Sequence, residues 1–154
     1  MIPALIEEHL QQHHHGYGHR VHADAMTAQD LAAAEHVTGR RVAKPVIVRI
    51  ENELAIAVVR ATDRVNLAAI EEATGRPAEL AAEGAFAEFF RPCETGAEPA
   101  LGMFGLPIFV DEKLVQEDTI VMPAGTHSDA VELTTSEWLV CEAAQPIYDL
   151  GVQA

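Results

Sequence analysis

Three glycine turns lie close together between residues 93 and 127, and they are centred on Gly96, Gly102 and Gly125. Glycine permits backbone conformations in which amide N–H groups can approach a ligand. Such N–H groups can hold an anion or stabilise a developing oxyanion, although similar loops often only connect strands. The third turn continues into Thr126 and His127, and this imidazole could bind a substrate amine or position a water molecule. The three turns together indicate a ligand site.

A second candidate is Lys44, which follows Arg40 and Arg41 and stands where a strand is predicted to begin. The net charge of −14 argues against a general nucleic-acid-binding protein. Residues 1–77, however, hold eight of the ten basic side chains against ten acidic ones, whereas residues 78–154 hold two against fourteen. The first half could therefore present a local basic face, although solvated strand edges would give the same pattern.

The histidines of the first 22 residues have two interpretations. The run His13 to His15, with His19, could bind a transition metal, but imidazoles at the end of a helix also suit its dipole. His22 could contact a ligand or brace the first helix. Only two cysteines are present and they form no CxxC motif, so we expect reduced thiols and no four-ligand cysteine metal site. We assign no metal ligand and no cofactor.

Length and composition set the outer limits. A chain of 154 residues with 49% hydrophobic content predicts one domain with a substantial core. There is no run of about 18 apolar residues and no basic start followed by an apolar stretch. We therefore expect a soluble, cytoplasmic protein that does not bind membranes or DNA.

Periodicity and turn residues predict an irregular succession of helices and strands. Thr27 with Asp30 resembles a capping box, Asn66 is a candidate N-cap, and Gly75 a helix stop. Helices are predicted at 3–14, 28–36, 67–74, 84–90 and 136–144, and strands at 17–23, 46–51, 53–60, 78–80, 107–111, 119–122 and 130–134. Because no βαβ rhythm or repeat is present, we predict an α+β fold with a mixed, curved sheet.

Eight motifs occur in a fixed order: His22 followed by MTAQDLA, then VTGRRVAK, LAIAVVRA, RVNLAAI, the segment at Glu83, CETGAEPALG, GLPIFVDEKL and AGTH. Together they resemble the YbaK-type aminoacyl-tRNA deacylases, also called prolyl-tRNA synthetase-associated editing domains. The similarity runs from about His22 to Leu139. We therefore predict a single editing domain over residues 1–154, with an N-terminal helical extension at 1–20 and the family core at 21–140.

This resemblance implies a barrel-like mixed sheet flanked by helices, and hydrolysis of the ester that joins a wrong amino acid to the 3′ end of a tRNA. The implied catalytic residues are Lys44, Gly96 and His127. The implied substrate-binding residues are His22, Thr27, Ala97, Pro99, Gly102, Gly125 and Thr126. The implied partner is aminoacyl-tRNA, while a homo-oligomer and an aminoacyl-tRNA synthetase partner both stay open.

The chemistry of an aminoacyl ester agrees with these roles. The ester is already activated, so an enzyme mainly needs to orient water and to stabilise the oxyanion. Lys44 could pair with a phosphate or with the developing charge. Two departures from the family pattern, Pro45 after the lysine and Ala100 in the Gly96 loop, leave open a non-catalytic binding module. The acidic second half leaves open a hydrolase of another small activated ester.

Overall fold

Helices and strands alternate irregularly in the computed structural model, which describes residues 1–22, 27–35 and 38–154. The helices are α1 Ala4–His13, α2 Ala28–Ala34, α3 Leu67–Thr74, α4 Glu83–Phe86, α5 Glu112–Val115 and α6 Thr135–Cys141, with 3₁₀ turns at Ala87–Phe90 and Gly102–Phe104. The strands are β1 Gly18–Val21, β2 Ala43–Ile50, β3 Glu53–Arg60, β4 Asp63–Val65, β5 Ala78–Leu80, β6 Ile108–Asp111, β7 Thr119–Pro123, β8 Asp129–Thr134, β9 Gln145–Ile147 and β10 Gly151–Gln153. Within the described ranges, no helix has both the length and the hydropathy to cross a bilayer.

The largest sheet is mixed and has the strand order β5-β2-β3-β6-β9. In it, β2 runs antiparallel to β3 and β5, whereas β6 runs parallel to both β3 and β9. A second, antiparallel sheet has the order β1-β8-β7, and β10 pairs with β4. An isolated bridge between Val42 and Val121 links the two larger sheets. The α+β class with mixed sheets is confirmed, but the described strands form three sheets and not one closed barrel.

The central strand β3 is buried on both faces. Ile56 and Val58 face a core that contains Trp138, whereas Ala57 and Val59 face a second core that lies beneath α3. A strand that pairs with another strand on each side and packs against core residues on both faces has a continuous hydrophobic sequence. This explains the run LAIAVV in β3. The hairpin of β2 and β3 is therefore the rigid base from which the neighbouring loops project.

Most local signals in the sequence correspond to real element ends. The Thr27 side chain accepts a hydrogen bond from the Asp30 amide at the start of α2, and Gly75 ends α3 with φ +71°. Asn66 precedes α3 but makes no capping hydrogen bond with its side chain. Strand β2 begins at Ala43, so Lys44 lies inside the strand. The predicted ends of the first strand at residue 23 and of the second helix at residue 36 lie outside the described residues.

The sequence reading missed four short elements, β4, α5, β9 and β10. Each has three or four residues, and the three strands pair with partners far along the chain, as β10 does with β4. Such segments carry too little periodicity to be recognised locally. The predicted helix at 84–90 is divided into α4 and a 3₁₀ turn.

Candidate functional site

A small pocket of about 40 Å³ lies between the start of β2 and the glycine loops. It has room for only a few water molecules or for a small side chain. Its walls come from α2, from β2 and from the turns near residues 96 and 126, and they are formed by His22, Thr27, Ala28, Leu31, Lys44, Pro45, Gly96, Ala97, Pro123, Thr126, His127 and Asp129.

A wider, more open groove of about 460 Å³ adjoins this pocket. The two cavities share five residues, namely Thr27, Ala28, Lys44, Pro45 and Gly96. Beyond these, the groove is lined by apolar side chains such as Ile47 and Phe86, and by the carboxylates of Glu83 and Glu98. A ligand with a small head and a larger body could therefore occupy both cavities at once, with its junction beside Lys44.

The Lys44 side chain is half-buried, and its Nζ donates a hydrogen bond to the carbonyl oxygen of Asp63. Burial lowers the pKa of Lys44, and the negative charge of Asp63 opposes this effect in part. Arg60 donates to the Asp63 carboxylate at 2.9 Å, so the carboxylate already has a cationic partner. The Lys44 ammonium is thus held at the boundary of the two cavities by a neutral acceptor.

The Gly96 turn is fixed by a carboxylate from its own loop. Gly96 has φ +92°, and its N–H donates to both oxygens of Glu98, at 3.0 and 3.1 Å. Burial raises the pKa of Glu98, even though hydrogen bonds from the Glu98 and Gly96 amides oppose the effect. A Cβ atom at Gly96 would lie 3.3 Å from Cε1 of His127, so a side chain here would displace the imidazole by a few tenths of an ångström.

The Gly125 turn is held between the first loop and helix α1. Its N–H donates to the Ala97 carbonyl at 2.9 Å, and its own carbonyl accepts the Glu94 amide at 2.8 Å. A Cβ atom here would lie only 2.8 to 2.9 Å from Pro3 and Ile6 of the N-terminal segment. The residues before the predicted family core therefore set the position of the turn.

Several amides assigned to ligand binding already have acceptors in the protein. Besides Gly96 and Gly125, the Gly102 N–H donates to Oε1 of Glu142 at 2.7 Å, and the His127 N–H donates to Oε1 of Glu94 at 2.7 Å. An oxyanion role for any of these N–H groups would require the loop to exchange its present acceptor for a substrate oxygen. Lys44 is the cation that lines the pocket in the described structure.

Asp129 is a pocket residue that sequence reasoning did not identify. Its carboxylate accepts hydrogen bonds from the Thr126 hydroxyl at 2.5 Å, from Nε2 of His19 at 2.6 Å and from the amino group of Met1 at 2.7 Å. Burial alone would raise the pKa of Asp129, but these contacts outweigh burial and lower it to about 2. Asp129 thus fixes the hydroxyl of Thr126 within the pocket wall. Apolar Val131 and Leu133 alternate with other residues along β8, and this pattern could have identified Asp129 as a residue on the same inward face.

The fold brings together most of the predicted site residues. His22, Thr27, Lys44, Gly96, Ala97, Thr126 and His127 all line the small pocket. The His22 side chain is 4% exposed, and its Nε2 lies 3.8 Å from Oε2 of Glu35, so it also braces α2. Pro99, Gly102 and Gly125 line neither cavity. Glu98 was missed because nothing in its local sequence distinguishes it from a solvated acid.

The arginines form a smaller basic surface than their number indicates. Arg20 and Arg41 both pair with Glu132, and Arg60 pairs with Asp63. Arg40 and Arg64 are exposed and have no ion-pair partner among residues 1–22, 27–35 and 38–154. Besides Lys44, these two side chains are therefore the main candidates for a local cationic surface.

The mixed sheets form an α+β domain in which a small pocket adjoins a wider groove, and Lys44 lies where the two cavities meet. The profile of the aminoacyl-tRNA editing domain matches residues 22–140, which is most of the chain. The protein thus belongs to the aminoacyl-tRNA editing domain family. No curated protein sequence gives a significant match.

Solved structures share the fold at low sequence identity. The crystal structure of hypothetical protein APE2540 is 18% identical with a TM-score of 0.85, and the match covers 96% of this chain and 99% of that one. The crystal structure of "a putative trans-editing enzyme for prolyl tRNA synthetase" is 21% identical with a TM-score of 0.81, covering 92% of this chain and 91% of that one. A scaffold protein used for epitope backbone grafting is 22% identical with the same TM-score, and the match covers 92% of each chain. These likenesses support the fold.

Proposed function

We propose that this protein is a trans-editing hydrolase that removes a wrong amino acid from the 3′ end of a tRNA. The observation that carries the proposal is the position of Lys44, which lines both the small pocket and the open groove of a chain in the editing-domain family. An aminoacyl ester has the matching shape, because a small amino acid is joined to a much larger nucleotide. A cytoplasmic setting follows from this role in translation.

In the proposed complex the amino acid occupies the small pocket and the terminal nucleotide lies in the groove. A water molecule attacks the ester carbonyl carbon, the bond from that carbon to the ribose oxygen breaks, and the ribose hydroxyl is released with a proton from water. Lys44 stabilises the negative charge that develops on the carbonyl oxygen. His127 orients the attacking water or the substrate amine, and Thr126, fixed by Asp129, shapes the pocket around the side chain.

The remaining predicted residues take supporting or contact roles in this proposal. His22, Thr27 and Ala97 form the pocket wall around the aminoacyl group. Gly96 admits the imidazole of His127, while Gly125 holds the turn against α1. Pro99 and Gly102 act on the pocket only through the loop that they share with Gly96. A pocket of about 40 Å³ favours a small amino acid over a bulky one.

Binding of an RNA to so acidic a chain needs a local cationic surface. Arg64 follows Asp63, whose carbonyl oxygen accepts from Lys44. Arg40 lies in a turn with Gly39, and this turn packs against Thr62, the residue before Asp63. A Cβ atom at Gly39 would lie only 2.9 Å from the Thr62 side chain. In this proposal Arg40 and Arg64 contact phosphates of the tRNA beyond the groove, and this binding weakens as the salt concentration rises.

The test is deacylation of a panel of mischarged tRNAs by the wild type and by Lys44→Met, which keeps the length of the side chain but removes its charge. The matched control is Arg76→Met, since Arg76 pairs with Glu53 at the opposite end of the β2–β3 hairpin, about 20 Å from Lys44 at about 3.3 Å per residue. We expect the wild type and the control to release one amino acid. We expect Lys44→Met to be at least 100-fold slower, the scale measured for loss of one oxyanion-stabilising group.

Other outcomes identify the alternatives. Salt-sensitive tRNA binding without release from any tRNA would leave a non-catalytic binding module, the alternative raised by Pro45, which lines both cavities. Hydrolysis of small aminoacyl esters without tRNA binding would identify a hydrolase of small activated esters. Equal rates for Lys44→Met and the wild type would refute the role given to Lys44. Copurification or sizing would decide between a homo-oligomer and a synthetase partner.

A further inference from the structure

A buried cluster of two histidines and one glutamate lies at the contact between α1 and the end of α6, apart from the proposed editing site. It consists of His9, His14 and Glu142, and none of the three lines the small pocket or the groove. From the sequence, His14 is a candidate ligand only as part of the run His13 to His15 with His19, and no metal ligand is assigned. The fold instead joins two histidines of the N-terminal segment to an acid 133 and 128 residues away.

Both imidazoles direct Nε2 toward the same carboxylate oxygen. Nε2 of His9 lies 2.8 Å and Nε2 of His14 lies 2.5 Å from Oε2 of Glu142. The three ligand atoms all lie within 4.8 Å of one another. The side chains of His14 and Glu142 are 0% and 1% exposed, and that of His9 is 15% exposed. A converging set of two nitrogens and one oxygen is thus shielded from water on most sides.

The surroundings hold these ligands in position. The other carboxylate oxygen of Glu142 accepts the Gly102 N–H at 2.7 Å, which leaves Oε2 to face the two imidazoles. The Nδ1 atom of His14 is buried and makes no hydrogen bond within the described part of the chain. Its nearest acidic neighbour is Oε1 of Glu137, at 3.7 Å. An Nδ1–H facing a carboxylate is the tautomer that leaves Nε2 free to bind a metal.

From this geometry we propose that His9, His14 and Glu142 form a binding site for a divalent transition-metal ion of the Zn²⁺ class. Two histidine nitrogens and one glutamate oxygen are an established zinc ligand set, and imidazole also suits Cu²⁺ and Ni²⁺. Ligand atoms about 2.0–2.1 Å from a tetrahedral zinc ion lie about 3.3 Å apart. The two contacts to Oε2 of Glu142 would therefore have to lengthen by roughly 0.5–0.8 Å when a zinc ion binds. A water molecule would supply the fourth ligand, and His9 is the most exposed of the three side chains.

A metal here would connect the N-terminal helix to α6. Pro3 and Ile6, at the start of the same helix, pack against Gly125. The ion would therefore stabilise the position of the helix that holds the Gly125 turn, without contacting a substrate. Because a ligand that binds only the folded chain stabilises it, the thermal midpoint should rise with metal concentration. Metal binding and its effect on stability can be measured without a deacylase assay.

The experiment uses tag-free protein from which metal has been removed with a chelator. Titration calorimetry with ZnCl₂ measures binding, and thermal unfolding at increasing ZnCl₂ concentrations measures the change in stability. We expect one equivalent to bind and the midpoint to rise. Titration with Co²⁺ should give the intense visible absorption of a four-coordinate site. The variants are His9→Ala, which removes the most exposed of the three ligands, and Glu142→Gln, which keeps an acceptor for the Gly102 amide.

The control is the double variant His13→Ala, His15→Ala, which removes the exposed imidazoles of the same run. We expect the control to bind zinc within threefold of the wild type, and His9→Ala and Glu142→Gln to bind at least tenfold more weakly. Failure of the wild type to bind one equivalent would overturn the proposal. So would a pattern in which the control loses binding and His9→Ala keeps it, because the exposed histidines would then be the ligands.

Discussion

The substitution Gly125→Ala tests how the N-terminal helix supports the pocket. Gly125 has φ +98°, a conformation that costs an alanine about 1–2 kcal/mol. The new Cβ would also lie 2.8 Å from Cδ and Cγ of Pro3 and 2.9 Å from Cδ1 of Ile6. Relieving such an overlap in a packed region costs about 1–3 kcal/mol. The expected loss of unfolding free energy is therefore about 2–5 kcal/mol.

Gly75→Ala is the matched control. Gly75 also has a left-handed conformation, with φ +71°, but a Cβ there would meet no atom within 4 Å. Its cost should be the backbone strain alone, about 1–2 kcal/mol. The effect of alanine on the unfolded chain is the same in both variants and cancels in the comparison. The difference between them thus measures the clash with α1.

The assay is urea unfolding followed by the fluorescence of Trp138, the single tryptophan, which is fully buried and donates to the Ala100 carbonyl at 2.8 Å. We expect Gly125→Ala to lose about 1–3 kcal/mol more than Gly75→Ala. We also expect it to lower kcat/KM for deacylation, because the turn carries Thr126 and His127. Equal losses in the two variants would refute the packing of α1 on this turn.

Three further predictions concern charge and reactivity. Because the pKa of Asp129 is lowered from 3.8 to about 2, the ionised group stabilises the fold by about 2 kcal/mol above pH 4 and loses this effect as the pH falls through 2. In denaturant titrations, the difference in unfolding free energy between the wild type and Asp129→Asn should therefore shrink from pH 5 to pH 2. A difference that stays constant over this range would contradict the prediction. Asp111→Ala should cost about 2–3 kcal/mol in the same assay, because the buried Asp111 carboxylate accepts the Gly151 amide at 3.0 Å. Burial raises the pKa of Cys93 to about 12, whereas Cys141 is exposed, so iodoacetamide at pH 8 should modify Cys141 first, as read by peptide mass spectrometry.

The local sequence determined those helices and strands whose ends and hydrophobic patterns depend on residues close together in the chain. The cap at Thr27, the stop at Gly75 and the long apolar strands follow from hydrogen bonds and packing that involve near neighbours. The ordered motifs likewise indicated the editing-domain family, and the family profile confirms it. Lys44, Gly96 and His127 could be selected as candidates because each lies inside one of those motifs.

Tertiary structure decided which groups meet and which donors are occupied. The sequence marked Gly96 as a possible oxyanion donor, but only the folded loop shows its N–H bound to Glu98. Asp129 enters the pocket wall, and His9 reaches Glu142, through contacts that span more than a hundred residues. Such contacts leave no local pattern, because the partners are brought together by the packing of α1 and the sheets and not by their own spacing. The sequence alone therefore determined the longer elements and the family, whereas the short strands and the partners of each buried charge depended on the assembled fold.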